Sequence, residues 1–155
     1  TSRFLTLTKG TGVINRIFHG YGKFEGEMDG RKNGALISMS TGKAVAFAIF
    51  NLQARGEMFV THNDPVYEGM IVGLTPKPGD MIINVMKGKQ LTNMRTQGTD
   101  ENVILTPVRQ MSIAEQLSML NTDEALEITP KSLRLRKAIL NPHDRKKSEK
   151  SGAAA

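Results

Sequence analysis

The chain reads as an α+β protein, rich in strands, with a few short helices. Three observations predict this. Apolar residues come in runs of about four to seven, bounded by Gly, Pro, Asn and Asp, which is strand and turn patterning. Only one stretch, "MSIAEQLSMLN", combines a start signal with helical spacing over more than two turns. The longest apolar run, "AVAFAIF", is far short of the ~20 residues that cross a bilayer.

In order along the chain, "TSRFLTLTKGTG" predicts a short helix stopped by Gly10 and Gly12, and "VINRIFHGYG" a strand. So abrupt a start reads as the end of a unit whose earlier part is missing. "FEGEMDGRKNG" has the glycines and mixed charge of a linker. "ALISMSTGKAVAFAIF" predicts two strands around a turn at Thr41-Gly42. In the second, Val45, Phe47 and Ile49 alternate with Ala44, Ala46 and Ala48, so both faces are expected to be covered. "NLQARG" reads as one helical turn closed by Gly56. "EMFV" and "PVYEGMIVGL" read as strands, with "TPKPGD" as a turn.

"MIINVM" and "VILTPV" read as two further strands. Between them lies "KGKQLTNMRTQGTDEN", residues 87–102, polar and cationic. Structureless connections longer than about 12–15 residues are uncommon and tend to be functional or disordered. In "MSIAEQLSMLN", Ser112 and Glu115 form a capping-box pair, and Ile113, Leu117 and Leu120 share a face. "ALEITP" and "SLRLRK" close the strands. In the latter, Leu133 and Leu135 are expected on one face, with Arg134 and Arg136 on a solvent face. "NPHDRKKSEK" predicts an exposed helix with Asn141 as cap and Pro142 in its first turn. The final "SGAAA", residues 151–155, is expected to be disordered.

Charge divides unevenly. The chain carries 21 Lys or Arg against 15 Asp or Glu, a net +6. Residues 131–155 hold eight of those cations and two of the acids, so the whole surplus is C-terminal. A localised basic segment fits a polyanion, nucleic acid before membrane. With no cysteine, thiolate chemistry is excluded.

Enzyme signatures fail. "STGKA" resembles a phosphate loop only at its Gly-Lys pair, because Ile37 and Ala44 stand where the motif needs Gly and Ser or Thr. His19, His62 and His143 are too scattered for a metal site, and His62 with Asp64 lacks a spaced nucleophile. The nine methionines read as core filler. No catalytic or metal-ligating residue is expected in this chain.

"NLQARG", "VYEGMIVG", "GKQLTNMR" followed by "GTDE", and "EITPKSLRLRK", in this order, resemble the C-terminal part of the TypA/BipA translational GTPases. "FLTLTKGTG" resembles the end of that family's ferredoxin-like domain, shared with elongation factor G. The pattern departs at Thr61, Asn63 and Pro65, and is loose over "TPKPGDMIINVM". The resemblance implies a ferredoxin-like remnant over 1–24, a linker over 25–33, the family's C-terminal domain over 34–150, and a tail over 151–155. GTP and Mg²⁺ would belong to an N-terminal G domain that this chain lacks, and no cofactor is expected here.

The resemblance also implies a role for the long loop, reaching into the large ribosomal subunit to touch the acceptor end of A-site tRNA. Lys87, Lys89 and Arg95 suit phosphates; Gln90, Thr92 and Asn93 suit sugar and base edges, with Thr99 beside them. The basic end, Lys131, Arg134, Arg136, Lys137, Arg145, Lys146 and Lys147, is the expected ribosomal-RNA contact. The intact protein would then be cytoplasmic and ribosome-associated, acting in translation under stress or in large-subunit assembly. No membrane or small-molecule substrate is expected. Two rivals remain: a protein-interaction module docking through a sheet edge or the 112–120 helix, and a small phosphate-handling enzyme using Lys43.

Overall fold

The computed structural model describes residues 2–23, 31–89 and 103–152. Its centre is β1 (Ala35–Ser38), four consecutive buried residues. β1 pairs antiparallel with β5 (Ile71–Leu74) and parallel with β6 (Met81–Ile83). β3 (Glu57–Met58) extends the sheet on the far side of β5, giving the order β3-β5-β1-β6. A strand with neighbours on both edges and cover on both faces reads as a continuous apolar run, as Ala35, Leu36 and Ile37 do before the buried Ser38.

The two faces of β1 feed two cores. Leu36 joins Ile49, Met58, Val66, Val72, Ile83 and Val85 on one side. Ala35 and Ile37 join Ile71 and Leu135 on the other, where Phe59, Met111, Leu120 and Leu126 pack against them. The first core is covered by α2 (Ala46–Gln53). The second is covered by the β7–β8 hairpin (Glu124–Ile128 and Leu133–Lys137) and the neighbourhood of α3 (Ile113–Ser118). The result is α+β and strand-rich, a mixed sheet between two layers. A two-residue pair, β2 (Gly42–Lys43) with β4 (Pro65–Val66), and the helices α1 (Ser2–Leu7) and α4 (Pro142–Gly152) complete it.

Several expectations change. Residues 44–50 are not a strand: β2 stops at Lys43 and α2 begins at Ala46. The large–small alternation mimicked a two-residue period. The helix instead buries Ala48 and Ile49 and leaves Phe50 half exposed, and its two alanines are strong helix formers. Residues 13–22 form no strand, because no strand among the described residues lies alongside to take their backbone hydrogen bonds. "PVYEGMIVGL" is split by a turn in which the Met70 amide donates to the Tyr67 carbonyl (3.1 Å). Gly69 makes that turn with φ +82°, and a Cβ there would lie 2.7 Å from Leu140 Cα, so only glycine fits.

"VILTPV" is likewise no strand. Residues 103–108 run as irregular chain, held by Gln53 on α2. Its side-chain amide donates to the Thr106 carbonyl (3.0 Å) and accepts from the Thr106 amide (3.2 Å). A side chain thus supplies the pairing that a strand partner would have made. The capping box at Ser112 and Glu115 is formed as read, with both reciprocal bonds present. Asn141 caps α4 by accepting from the His143 and Asp144 amides (2.8 and 3.4 Å). α4 continues through Ser151 to Gly152, two residues that the sequence put in a disordered tail; 153–155 lie outside the described residues.

The helical assignment of 46–53 is testable by denaturant unfolding. Ile49→Ala should cost about 2–5 kcal/mol, as for a buried residue losing its side chain. Phe50→Ala should cost clearly less, since half its surface is already in water. Equal losses would contradict the inward face of α2.

Candidate nucleic-acid interface

The basic end is carried by the β7–β8 hairpin and α4. The hairpin pairs Glu124 with Lys137, Leu126 with Leu135 and Glu127 with Arg134. It docks on the sheet through the Met70–Arg136 bridge and through the Lys137 amide, which donates to the Gly69 carbonyl (2.9 Å). Lys131 is exposed at the hairpin tip, in a turn fastened by Thr129 and Ser132.

Arg134 and Arg136 do not present a free solvent face. Both are half-buried. Arg134 lies 3.6 Å from Glu127, and Arg136 donates to the carbonyls of Lys137 and Ala138 (3.2 and 3.4 Å). The Tyr67 hydroxyl donates to Glu127 (2.5 Å), and burial followed by that carboxylate pushes the phenol up to about 12. Tyr67 therefore stays a neutral donor over the whole physiological range.

Lys137 overturns its sequence reading outright. Its side chain is 2% exposed, and Nζ lies 2.5 Å from Asp80, 2.6 Å from Asp123 and 3.1 Å from Glu124. It shares the inward face of β8 with Leu133 and Leu135, two residues apart along the strand. A phosphate has no access to it.

Sequence reasoning missed the partners of this lysine. Asp80, just before β6, also accepts from the Ala35 amide at the start of β1 (2.7 Å). Glu124 is fully buried and receives a two-pronged contact from Arg31 (2.7 and 3.2 Å). Arg31 further donates to the carbonyls of Asn33 (2.6 Å) and Met119 (3.3 Å). Burial works against the charge on Asp80, but the Ala35 amide and Lys137 outweigh it and hold its carboxyl below the ordinary range. Burial likewise opposes the charge on Lys137, and Asp123 and Asp80 outweigh it, raising its pKa. No local pattern announces this network, because its members come from positions 31, 80, 123, 124 and 137.

In α4, Lys146 and Lys147 are exposed, as expected. Arg145 is partly buried and donates to the carbonyls of Ile139 and Leu140 (2.9 and 2.6 Å), bracing the entry to the helix. Of the long loop, Lys87 and Lys89 are exposed at its start. Gln90, Thr92, Asn93, Arg95 and Thr99 lie outside the described residues. Both roots are anchored: Val85 is fully buried, Leu105 packs on the same core, and Gln53 grips Thr106.

These features define a small α+β domain that displays cations on a hairpin tip and on α4. The chain belongs to the TypA/BipA C-terminal domain family, whose model matches residues 33–142. It is 49% identical over 150 residues to the large ribosomal subunit assembly factor BipA of Buchnera aphidicola from Schizaphis graminum. The corresponding proteins of Salmonella typhimurium and Escherichia coli K12 are 46% and 44% identical over 150 and 151 residues. Each alignment takes in 96–97% of this chain but 25% of the relative, so the chain spans about a quarter of their length.

The buried network predicts two results. Removing one partner of a buried ion cluster leaves uncompensated charge, so Lys137→Ala should cost about 3–5 kcal/mol. Lys146→Ala, on an exposed helix face, should stay within about 0.5 kcal/mol. Urea unfolding compares them directly; similar losses would mean that Lys137 is not the keystone of the cluster.

Stability should also fall at both pH extremes. Asp80 titrates lower in the folded state, so its contribution is present above its unfolded pKa and lost as pH falls below about 4. Lys137 titrates higher when folded, so its contribution is present below its unfolded pKa and lost as pH rises beyond about 10.4. Melting temperatures across pH should show both arms, and Lys137→Met should flatten the alkaline one.

Proposed function

We propose that this chain is the ribosome-binding C-terminal part of a ribosome-associated GTPase. The observation that carries the reading is the placement of charge: Lys131, Lys146 and Lys147 stand exposed, and the chain on either side of the polar 87–102 stretch is anchored, at Val85 and at Thr106. Membership in the TypA/BipA family supports it, as do relatives named for large-subunit assembly. Lys131, Lys146 and Lys147 contact ribosomal RNA, with Arg134 and Arg136 at the margin. Lys137 is removed from that set, and Arg145 serves chiefly to brace α4.

The loop over 87–102 contacts the acceptor end of A-site tRNA. Lys87, Lys89 and Arg95 neutralise phosphates, and Gln90, Thr92, Asn93 and Thr99 hydrogen-bond to sugar and base. Residues 1–24 belong to a preceding ferredoxin-like domain, and 34–150 form the family's own domain. GTP hydrolysis belongs to the longer, cytoplasmic protein, which acts in translation under stress or in large-subunit assembly. Among the described residues no helix is long and apolar enough to cross a membrane.

A protein-docking reading has one observation in its favour. Ile113 and Leu117 on α3 are 48% and 54% exposed. Salt separates the two readings, since counterion release gives RNA binding a steep salt dependence and an apolar interface has none.

The test is ribosome co-sedimentation at two salt concentrations, with chemical probing of the tRNA acceptor end. Deleting Leu91 to Thr99 and closing the gap with a short Gly-Ser turn should leave a folded domain. Loop-closure entropy changes by only about 0.6 kcal/mol per doubling of length. Association should persist in part, while protection of the tRNA end vanishes. A variant that folds, binds and still protects the tRNA end would remove the loop from the contact.

A further inference from the structure

A cleft of about 480 Å³ opens beside the buried ion network, between residues 31–34 and the first turns of α4. That volume lies in the range of sites that hold a nucleotide-sized ligand. Lys32 lines it from the segment before β1, and Arg145 and Lys146 line it from α4. These cations are more than a hundred positions apart in sequence, and only the fold brings them to one concavity.

The charge of the cleft follows from its neighbours. Arg31 and Lys137 face three carboxylates, Asp80, Asp123 and Glu124, leaving one negative charge over. Lys32, Arg145 and Lys146 turn that into a net of two positive charges. Among the described residues no carboxylate pairs with Lys32 or Lys146, and both are exposed. Arg31 is not a phosphate ligand, because its guanidinium is committed to Glu124 and to two backbone carbonyls. Its effect is to pin the segment that carries Lys32 against the hairpin.

Asp80 and Asp123, two of the carboxylates counted above, also line the cleft, and the rest of its lining is uncharged. Ile82, 42% exposed, offers an apolar shelf next to the cations, and the amides of Asn33 and Asn121 stand beside it. Cations suit a phosphate and amides suit hydroxyl and base edges, as in single-stranded RNA recognition, with Ile82 meeting the base face by apolar contact in place of an aromatic ring. A flat membrane surface does not enter a concavity of this size.

We propose that this cleft binds one nucleotide of a single-stranded or looped RNA segment, with its phosphate between Lys32 and Lys146. This deepens the RNA-binding reading above and rests on it. Its new content is a defined site, in which Lys32 takes part although it lies outside the basic end. The ribose and base lie on Ile82, within reach of Asn33 and Asn121.

The test uses the 155-residue chain and a fluorescently labelled single-stranded RNA 12-mer of mixed sequence, followed by anisotropy across a salt series. Lys32→Ala should weaken binding several-fold and make the slope of log affinity against log salt shallower by about 0.7, the loss of one phosphate contact on a single strand. Lys43→Ala, outside the cleft, should match the parent chain. Lys32 is exposed, so melting temperature should not move, which is checked alongside. If Lys32→Ala equals the parent while Lys131→Ala or Lys147→Ala weakens binding, RNA binding stands and the cleft is overturned. If the parent chain binds no RNA, both fail. If polyglutamate binds as tightly as RNA and loses that binding in Lys32→Ala, the occupant is an acidic peptide and the proposal is overturned.

Discussion

A single lysine inside a cage of carboxylates holds this domain together. Lys137 Nζ has Asp80, Asp123 and Glu124 within 3.1 Å, and Arg31 completes the charge around Glu124. Burying any of these ions alone would cost several kcal/mol, so none is tolerable without the others. Asp80 and Asp123 keep part of their surface in water, which accommodates the one unmatched negative charge. The cage joins three places distant along the chain: the start of the sheet at Ala35 and Asp80, the hairpin, and the segment before β1.

Two separations follow from it. The first is between cations that build and cations that face outward. Lys137, Arg31 and Arg145 are committed to internal partners, whereas Lys131, Lys146, Lys147 and Lys32 are exposed. Formal charge alone does not distinguish the groups; access to solvent does. The second is between the polar composition of the 87–102 stretch and the anchoring of the chain on either side of it. Val85 and Leu105 are drawn into the core, and the Gln53 amide holds Thr106 on both its hydrogen-bonding atoms. Both sides of that stretch are thus tied to the first core and to α2.

Family membership and geometry carry different parts of the argument. The match over 33–142 covers the sheet, the hairpin and the beginning of α4, which is the region with two continuous cores. Residues 2–23 contribute little to either core, and Val13, Ile17, Phe18 and Tyr21 are strongly exposed there.

Sequence patterning alone determined the class, the α3 capping box, the capped entry to α4, a strand after Gly34 and the C-terminal charge surplus. All are local: a cap needs residues three apart, a strand needs alternation, and a charge count needs no neighbours. Local reasoning failed where two periods fit the same letters, as in 44–50. It failed again where a strand-like run had no strand alongside it among the described residues, as in 13–22 and 103–108. The alternation that set Leu133 and Leu135 inward also puts Lys137 inward, but a lysine is acceptable there only if carboxylates meet it. Asp80, Asp123 and Glu124 arrive from another strand and a distant turn, and Lys32 reaches its cleft only because Arg31 is pinned to Glu124. Which cations stand free and which are buried was therefore decided by tertiary structure, since the cost of burying a charge depends on partners that the chain brings in from far along its length.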